Sequence, residues 1–234
     1  MSEQPLHFEH VGPESLPDHG HAPDSPQRQR AALQRGLNFV GPDQPGRRAE
    51  MLAALGVVEN ELGNVEAAWE AARAALAVAV QIEEWATAVK ACDTLFDTGR
   101  PDALKALAHG LWLAVTYPID PSVTVDLLGR LVEEAAHDDI GAVAATTANY
   151  VAQLRAPEGE AGDKVREKAR VLLNAVAWTH GKVKDQQDFD IWYRTNQLDN
   201  PEIFLPLLSE SVDRIVADDW WFDRDALRAK IPEN

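Results

Sequence analysis

The side chains able to do chemistry are few, and most of them sit at one end of the chain. His7, His10, His19 and His21 fall within fifteen residues, beside Glu9, Glu14 and Asp18. The runs HFEH and HGH set imidazoles close enough to share a metal, and imidazole suits zinc, copper or nickel. No cysteine assists them, and a flexible segment loses entropy when it is ordered around an ion. Two readings stand: a metal-binding or metal-delivery tail, or a solvated polar tail. His109, His137 and His180 are the remaining histidines. Cys92 is the single thiol, flanked by Ala91 and Asp93 in a helical stretch. No helix N-terminus or nearby cation activates it, so a buried small residue is expected rather than a nucleophile.

The acidic pairs Glu83-Glu84, Glu133-Glu134, Asp138-Asp139 and Asp218-Asp219 are sequence neighbours. Neighbours on a helix point apart, whereas acid–base catalysis needs carboxylates that face each other. They read as caps and solvated faces, with Asp218 and Asp219 assigned to the start of the last helix. Phosphate-loop, nucleophile-elbow, His-Glu-x-x-His and zinc-ribbon patterns are absent from the sequence. The expectation is a non-enzyme without a cofactor.

Composition narrows the partners. The chain has 234 residues, with 22 lysines and arginines against 38 acids and a formal net charge of −16. Such a surface repels phosphates, so nucleic acid and anionic membrane are poor partners and a cationic protein segment a better one. One cysteine forbids an intrachain disulfide and fits a reducing compartment. The first residues lack a basic region followed by an apolar run, and no apolar run is long enough for a membrane span. A cytoplasmic location is expected.

These groups must be positioned by helices. Residues 1–24 carry Pro5, Pro13, Pro17 and Pro23 with Gly12 and Gly20, and read as an extended polar tail. Ser25-Pro26 looks like a cap and first helical residue, opening a helix to about Phe39. From Arg48 to Tyr117 apolar residues recur three and four apart, with breaks at Gly63-Asn64, near Gln81 and at Gly99-Arg100-Pro101. Further helices are predicted over about Pro121–Ala136, Ile140–Arg155, Lys164–His180, Pro201–Ala217 and Asp223–Lys230. The sequence thus divides into the tail 1–24, a helical-hairpin repeat domain over 25–156 and a C-terminal helical section over 163–234.

Gly63 and Gly99 are 36 residues apart, a period suited to stacked helical hairpins. Ala49–Val78 resembles a tetratricopeptide repeat. Leu55-Gly56 stands for the Leu-Gly of its first helix, Gly63-Asn64 for the turn, Ala68 for the early small residue of the second helix, and Ala75-Leu76 for the later pair. Gly56 and Ala68 would meet where the helices cross. The second unit, from Trp85 to about Thr116, puts Cys92 at the small position but Leu104 where Ala68 stood. The third, Val123–Leu154, matches only in length and period. The resemblance implies an all-α, right-handed hairpin solenoid whose first helices line a concave, partner-binding surface. It places Glu50, Ala53, Val57, Asn60 and Glu61 of the first unit there, with Ala86, Val89, Lys90, Asp93 and Phe96 of the second. Ala53 and Val57 replace the lysine and asparagine of carboxylate-gripping members, so an amphipathic or cationic partner segment is expected instead. Val57, Val89 and Phe96 also fit a plain core.

The run DDWWFDRDAL, residues 218–227, holds Trp220, Trp221 and Phe222 in a row. Exposed, Trp220 and Trp221 would anchor a partner; buried, they would close the end of the solenoid. The function expected from the sequence is a protein–protein interaction module: an adapter, an assembly factor or an accessory subunit.

Overall fold

The computed structural model describes residues 25–135 and 139–230. The tail histidines, His137 and Asp138 lie outside the described residues. Among those described, eleven helices follow one another with no strand. After α1 (Pro26–Leu37), helices α2 (Pro45–Glu61) and α3 (Val65–Gln81) form one antiparallel hairpin, and α4 (Trp85–Asp97) and α5 (Ala103–Thr116) a second. A third pairs α6 (Pro121–Glu134) with α7 (Asp139–Arg155), and α8 (Glu160–Thr179) packs on both. The architecture is an all-α helical-hairpin solenoid, as the periodicity predicts.

Small residues set the spacing within each hairpin. The stripe Ala68, Ala71, Ala72, Ala75 and Ala79 on α3 is buried against α2 and its neighbours. A methyl group at Gly56 would lie 3.2 Å from the Ala72 Cβ and 3.3 Å from the Ala68 carbonyl oxygen. Larger side chains would push the helices apart. In the second hairpin the crossing lies elsewhere than the repeat pattern implies. Cys92 meets Gly110, where a Cβ would sit 2.9 Å from the Cys92 Cβ, while Leu104 is 37% exposed at the start of α5. The longer turn 98–102 shifts the crossing along α5. Gly63 (φ 75°) and Gly99 (φ 63°) close their hairpins in the left-handed region, and Glu83 (φ 62°) does so between α3 and α4 without a glycine.

The C-terminal third differs from expectation in three places. The linker after α7 is short, because α8 begins at Glu160, a turn before the predicted Lys164. The polar run after Gly181, outside every predicted helix, contributes to α9 (Gln186–Thr195). Asp185 caps it by accepting from the Asp188 N–H, and Trp192 supplies its buried residue. The last helix, α11 (Arg224–Arg228), is capped by Asp223, which accepts from the Ala226 N–H. Asp219, assigned to that role from sequence, instead pairs with Lys105 at 2.8 Å.

α10 (Pro201–Val216) lies across α5 and α7. One hydrophobic core therefore runs from Ala49 to Leu227, through both the predicted repeat domain and the C-terminal section.

Candidate functional site

The hairpins give the molecule two long faces. One is built from the second helices α3, α5 and α7, the other from the first helices α2, α4, α6 and α8. Arg155 closes the end of the second-helix layer by donating to the carbonyls of Ala114, Val115 and Tyr117.

The second-helix face is covered. Residues 218–230 fold back from α10 as a strap over α3 and α5. Trp221 lies between two partners: its ring stacks on His109 at 4.3 Å and 14°, and the Arg73 guanidinium sits 3.9 Å from its centroid. Trp69 meets the same indole edge-on at 5.8 Å. Trp220 packs on Trp112 and Phe222, with Arg224 over its ring at 4.6 Å. The strap is held further by Lys105–Asp219, by Lys230–Glu83 at 2.6 Å, and by the Tyr117 hydroxyl donating to the Leu227 carbonyl. Trp220 and Trp221 are half-buried and turned inward. Of their two sequence readings, this is the geometry of a cap.

His109 is the pin of this arrangement and is fully buried. Its Nδ1 lies 2.6 Å from the Lys105 carbonyl and its Nε2 3.0 Å from the Trp221 backbone nitrogen. The neutral tautomer with the proton on Nδ1 satisfies both contacts. Burial, with Arg73 adding to it against the Lys105 carbonyl bond, pushes the pKa down to about 4. Both ring nitrogens are committed, so no proton is left for exchange with a substrate. Cys92 is likewise inert, buried with its thiol pKa pushed up by desolvation.

The first-helix face is open. No described helix packs across α4 or α6 on this side. Neighbouring first helices are cross-linked by polar side chains. The Asn60 amide donates to the Asp97 carbonyl at 3.4 Å. Arg130 on α6 reaches Asp93 at 2.9 Å and Asp97 at 2.5 Å on α4, with its guanidinium 5.4 Å from the Phe96 ring. Lys168 on α8 pairs with Asp126 on α6. Burial pushes the Asp93 carboxyl up, and the Arg130 charge works against that shift.

No family model, curated protein or solved structure matches this chain.

The predicted docking residues divide accordingly. Ala53 and Val89 are fully buried and belong to the core, so they cannot touch a partner. Val57, Asn60, Asp93 and Phe96 are half-buried on the open face, and Glu50, Glu61, Ala86 and Lys90 are exposed. Sequence reading missed Arg130, Asp97, Asp126 and Lys168: Asp97 ends α4 beyond the aligned positions of the second unit, and α6 and α8 show no repeat signature to align the others. Charge alternation at helical spacing on α6 and α8 was the available signal. Among the described residues no group of three His, Cys, Asp or Glu side chains is placed to hold a metal. No described helix is long and apolar enough to cross a membrane.

One buried carboxylate serves the end of the stack. Glu59, only 2% exposed, accepts from Arg30 at 2.8 Å and Asn64 at 2.7 Å, with Gln34 at 3.4 Å. Arg30 and Gln34 belong to α1, which contributes no fully buried residue of its own.

Proposed function

We propose that this chain is a non-catalytic protein–protein interaction module of the tetratricopeptide-like kind. It acts as an adapter, assembly factor or accessory subunit, docking a partner's amphipathic or cationic segment on its first-helix face. The observation that carries the reading is the asymmetry of the two faces. The second-helix face is sealed by α10 and the aromatic strap, whereas the first-helix face is cross-linked, acidic and uncovered. A cross-linked face is pre-organised, which lowers the cost of binding. Its excess of carboxylates favours a cationic partner through steering and selectivity. The inward commitment of His109 and Cys92 supports a non-catalytic role.

Val57→Arg combined with Phe96→Arg tests it. Both side chains are half-buried on the open face, so the fold should persist by circular dichroism. Binding to the stoichiometric partner found by native co-purification should fall by at least about tenfold, roughly 1.4 kcal/mol. Unchanged binding in a folded double variant would sink the proposal.

A further inference from the structure

The contacts that seat residues 218–230 on α3 and α5 converge on one ring. His109 Nε2 accepts from the Trp221 backbone N–H at 3.0 Å, and its Nδ1 lies 2.6 Å from the Lys105 carbonyl oxygen. Trp220 and Phe222 meet the imidazole edge-on, with centroids at 5.1 and 5.3 Å, so three consecutive strap residues close around it. A carbonyl on one side of the ring and an N–H on the other leave room for one ring proton. A second proton, on Nε2, would set a donor against the Trp221 N–H and forfeit the bond from the ring to the strap backbone.

The charges around the ring give that proton little support. Arg73 on α3 and Lys105 on α5 oppose it, and Asp219 on the strap favours it. Lys105 is shared between Asp102 and Asp219, while Arg224, over the Trp220 ring, pairs with Asp213 on α10. Among the described residues no carboxylate bonds to either ring nitrogen.

The strap also leaves α10 through a strained residue. Ala217 has φ 53° and ψ −130°, a combination that residues with a side chain rarely adopt. Such a conformation persists only while surrounding contacts enforce it. Beyond it, α11 has five residues and buries only Leu227 fully, so the strap carries no core of its own.

We propose that residues 218–230 form a latch that opens as a unit about Ala217, ahead of the rest of the fold, when His109 takes up a second proton. Opening lets Ala217 return to negative φ. It uncovers the rings of Trp69 and Trp112, which Trp221 and Trp220 meet in the seated strap. The hairpins keep their own close crossings at Gly56 and Gly110. The inference does not depend on what docks on the first-helix face.

The sign follows from linkage. Burial holds His109 at about 4 in the seated strap, and an imidazole freed from it titrates near 6.5. The open form therefore binds more protons, and opening becomes easier as the pH falls from about 6.5 toward 4. Lys105 keeps the Asp219 carboxyl below its usual range, so that tie persists through most of the window.

Native-state hydrogen exchange of the full chain, in dilute urea at pH 7 and pH 4.5, tests the latch. Exchange is expressed as protection factors, which removes the intrinsic pH dependence of amide chemistry. Amides of residues 221–229 should be less protected than those of α3, α7 and α10 at both pH values, and nearly indifferent to urea, as a local opening requires. Their protection should fall about fiftyfold between pH 7 and pH 4.5. His109→Gln, which takes up no proton, should abolish that fall. Asp219→Asn, which removes a titrating strap carboxylate, should keep it. Strap amides as protected and as urea-dependent as α3 would mean that the strap opens only with the whole molecule, and would overturn the inference. Strap protection that is the same at both pH values overturns it as well. A fall that survives in His109→Gln, or vanishes in Asp219→Asn, overturns it by giving the switch to a carboxylate.

Discussion

At the scale of single residues, His109 joins α5 to the strap, and it does so only when neutral. In the unfolded chain an imidazole titrates near 6.5, whereas in the fold burial holds His109 at about 4. Between those values the unfolded state binds more protons, so stability falls as the pH falls from about 6.5 toward 4. The stability is fully present above that window. Urea titrations at pH 7 and pH 4.5 should differ by about 2 kcal/mol from this residue. A His109→Gln variant should be less stable at pH 7 and should show a pH difference smaller by about that amount. An equal pH difference in the variant would remove His109 from the explanation. Cys92 and Gly110 make a second residue-scale contact. Gly110→Val should destabilise by about 2 kcal/mol or more through overpacking against Cys92. The Cys92 thiol should resist alkylation in the native state and react once urea unfolds the chain. Rapid native alkylation would contradict its burial.

At the scale of elements, two pieces are held by contacts that can be named, and each attachment can be cut. α1 buries none of its residues fully, and its polar ties to the stack run from Arg30 and Gln34 to Glu59. Glu59→Gln should weaken those ties and raise hydrogen exchange in residues 26–37 selectively, while α3 and α5 stay protected. The strap is the other piece. Removing residues 218–234 strips the ring contacts of Trp220 and Trp221 and leaves His109 Nε2 without its donor. At about 0.5–1.5 kcal/mol per aromatic pair, the loss should amount to several kcal/mol, seen as a lower urea midpoint.

The sequence announced the hairpins because alanine stripes at helical spacing and glycine turns leave a direct trace. It hid α9, whose helix depends on the Asp185 cap and on Trp192 packing against Gly181 rather than on an apolar period. It also hid the direction in which Trp220 and Trp221 face. That direction is set by Arg73 and His109, more than a hundred residues away in the chain.

At the scale of the whole molecule, the two faces divide the work. Alternation of first and second helices was legible, and the structure leaves Val57, Asn60, Asp93 and Phe96 half-buried. The burial of Ala53 and Val89 was not, because burial there depends on how tightly neighbouring hairpins stack. The Arg130 and Lys168 cross-links were likewise illegible, since they join helices whose alignment is fixed only in three dimensions. The covered face gives rigidity, and the open face is the one we propose for a partner.

The most direct test is native co-purification of the full chain from its source cell at moderate salt, with mass spectrometry and metal analysis of the same fraction. The account predicts one stoichiometric protein partner, retained by the wild type and lost with Val57→Arg and Phe96→Arg. A chain that elutes alone, carrying a stoichiometric metal that disappears when residues 1–24 are removed, would contradict it and give the function to His7, His10, His19 and His21.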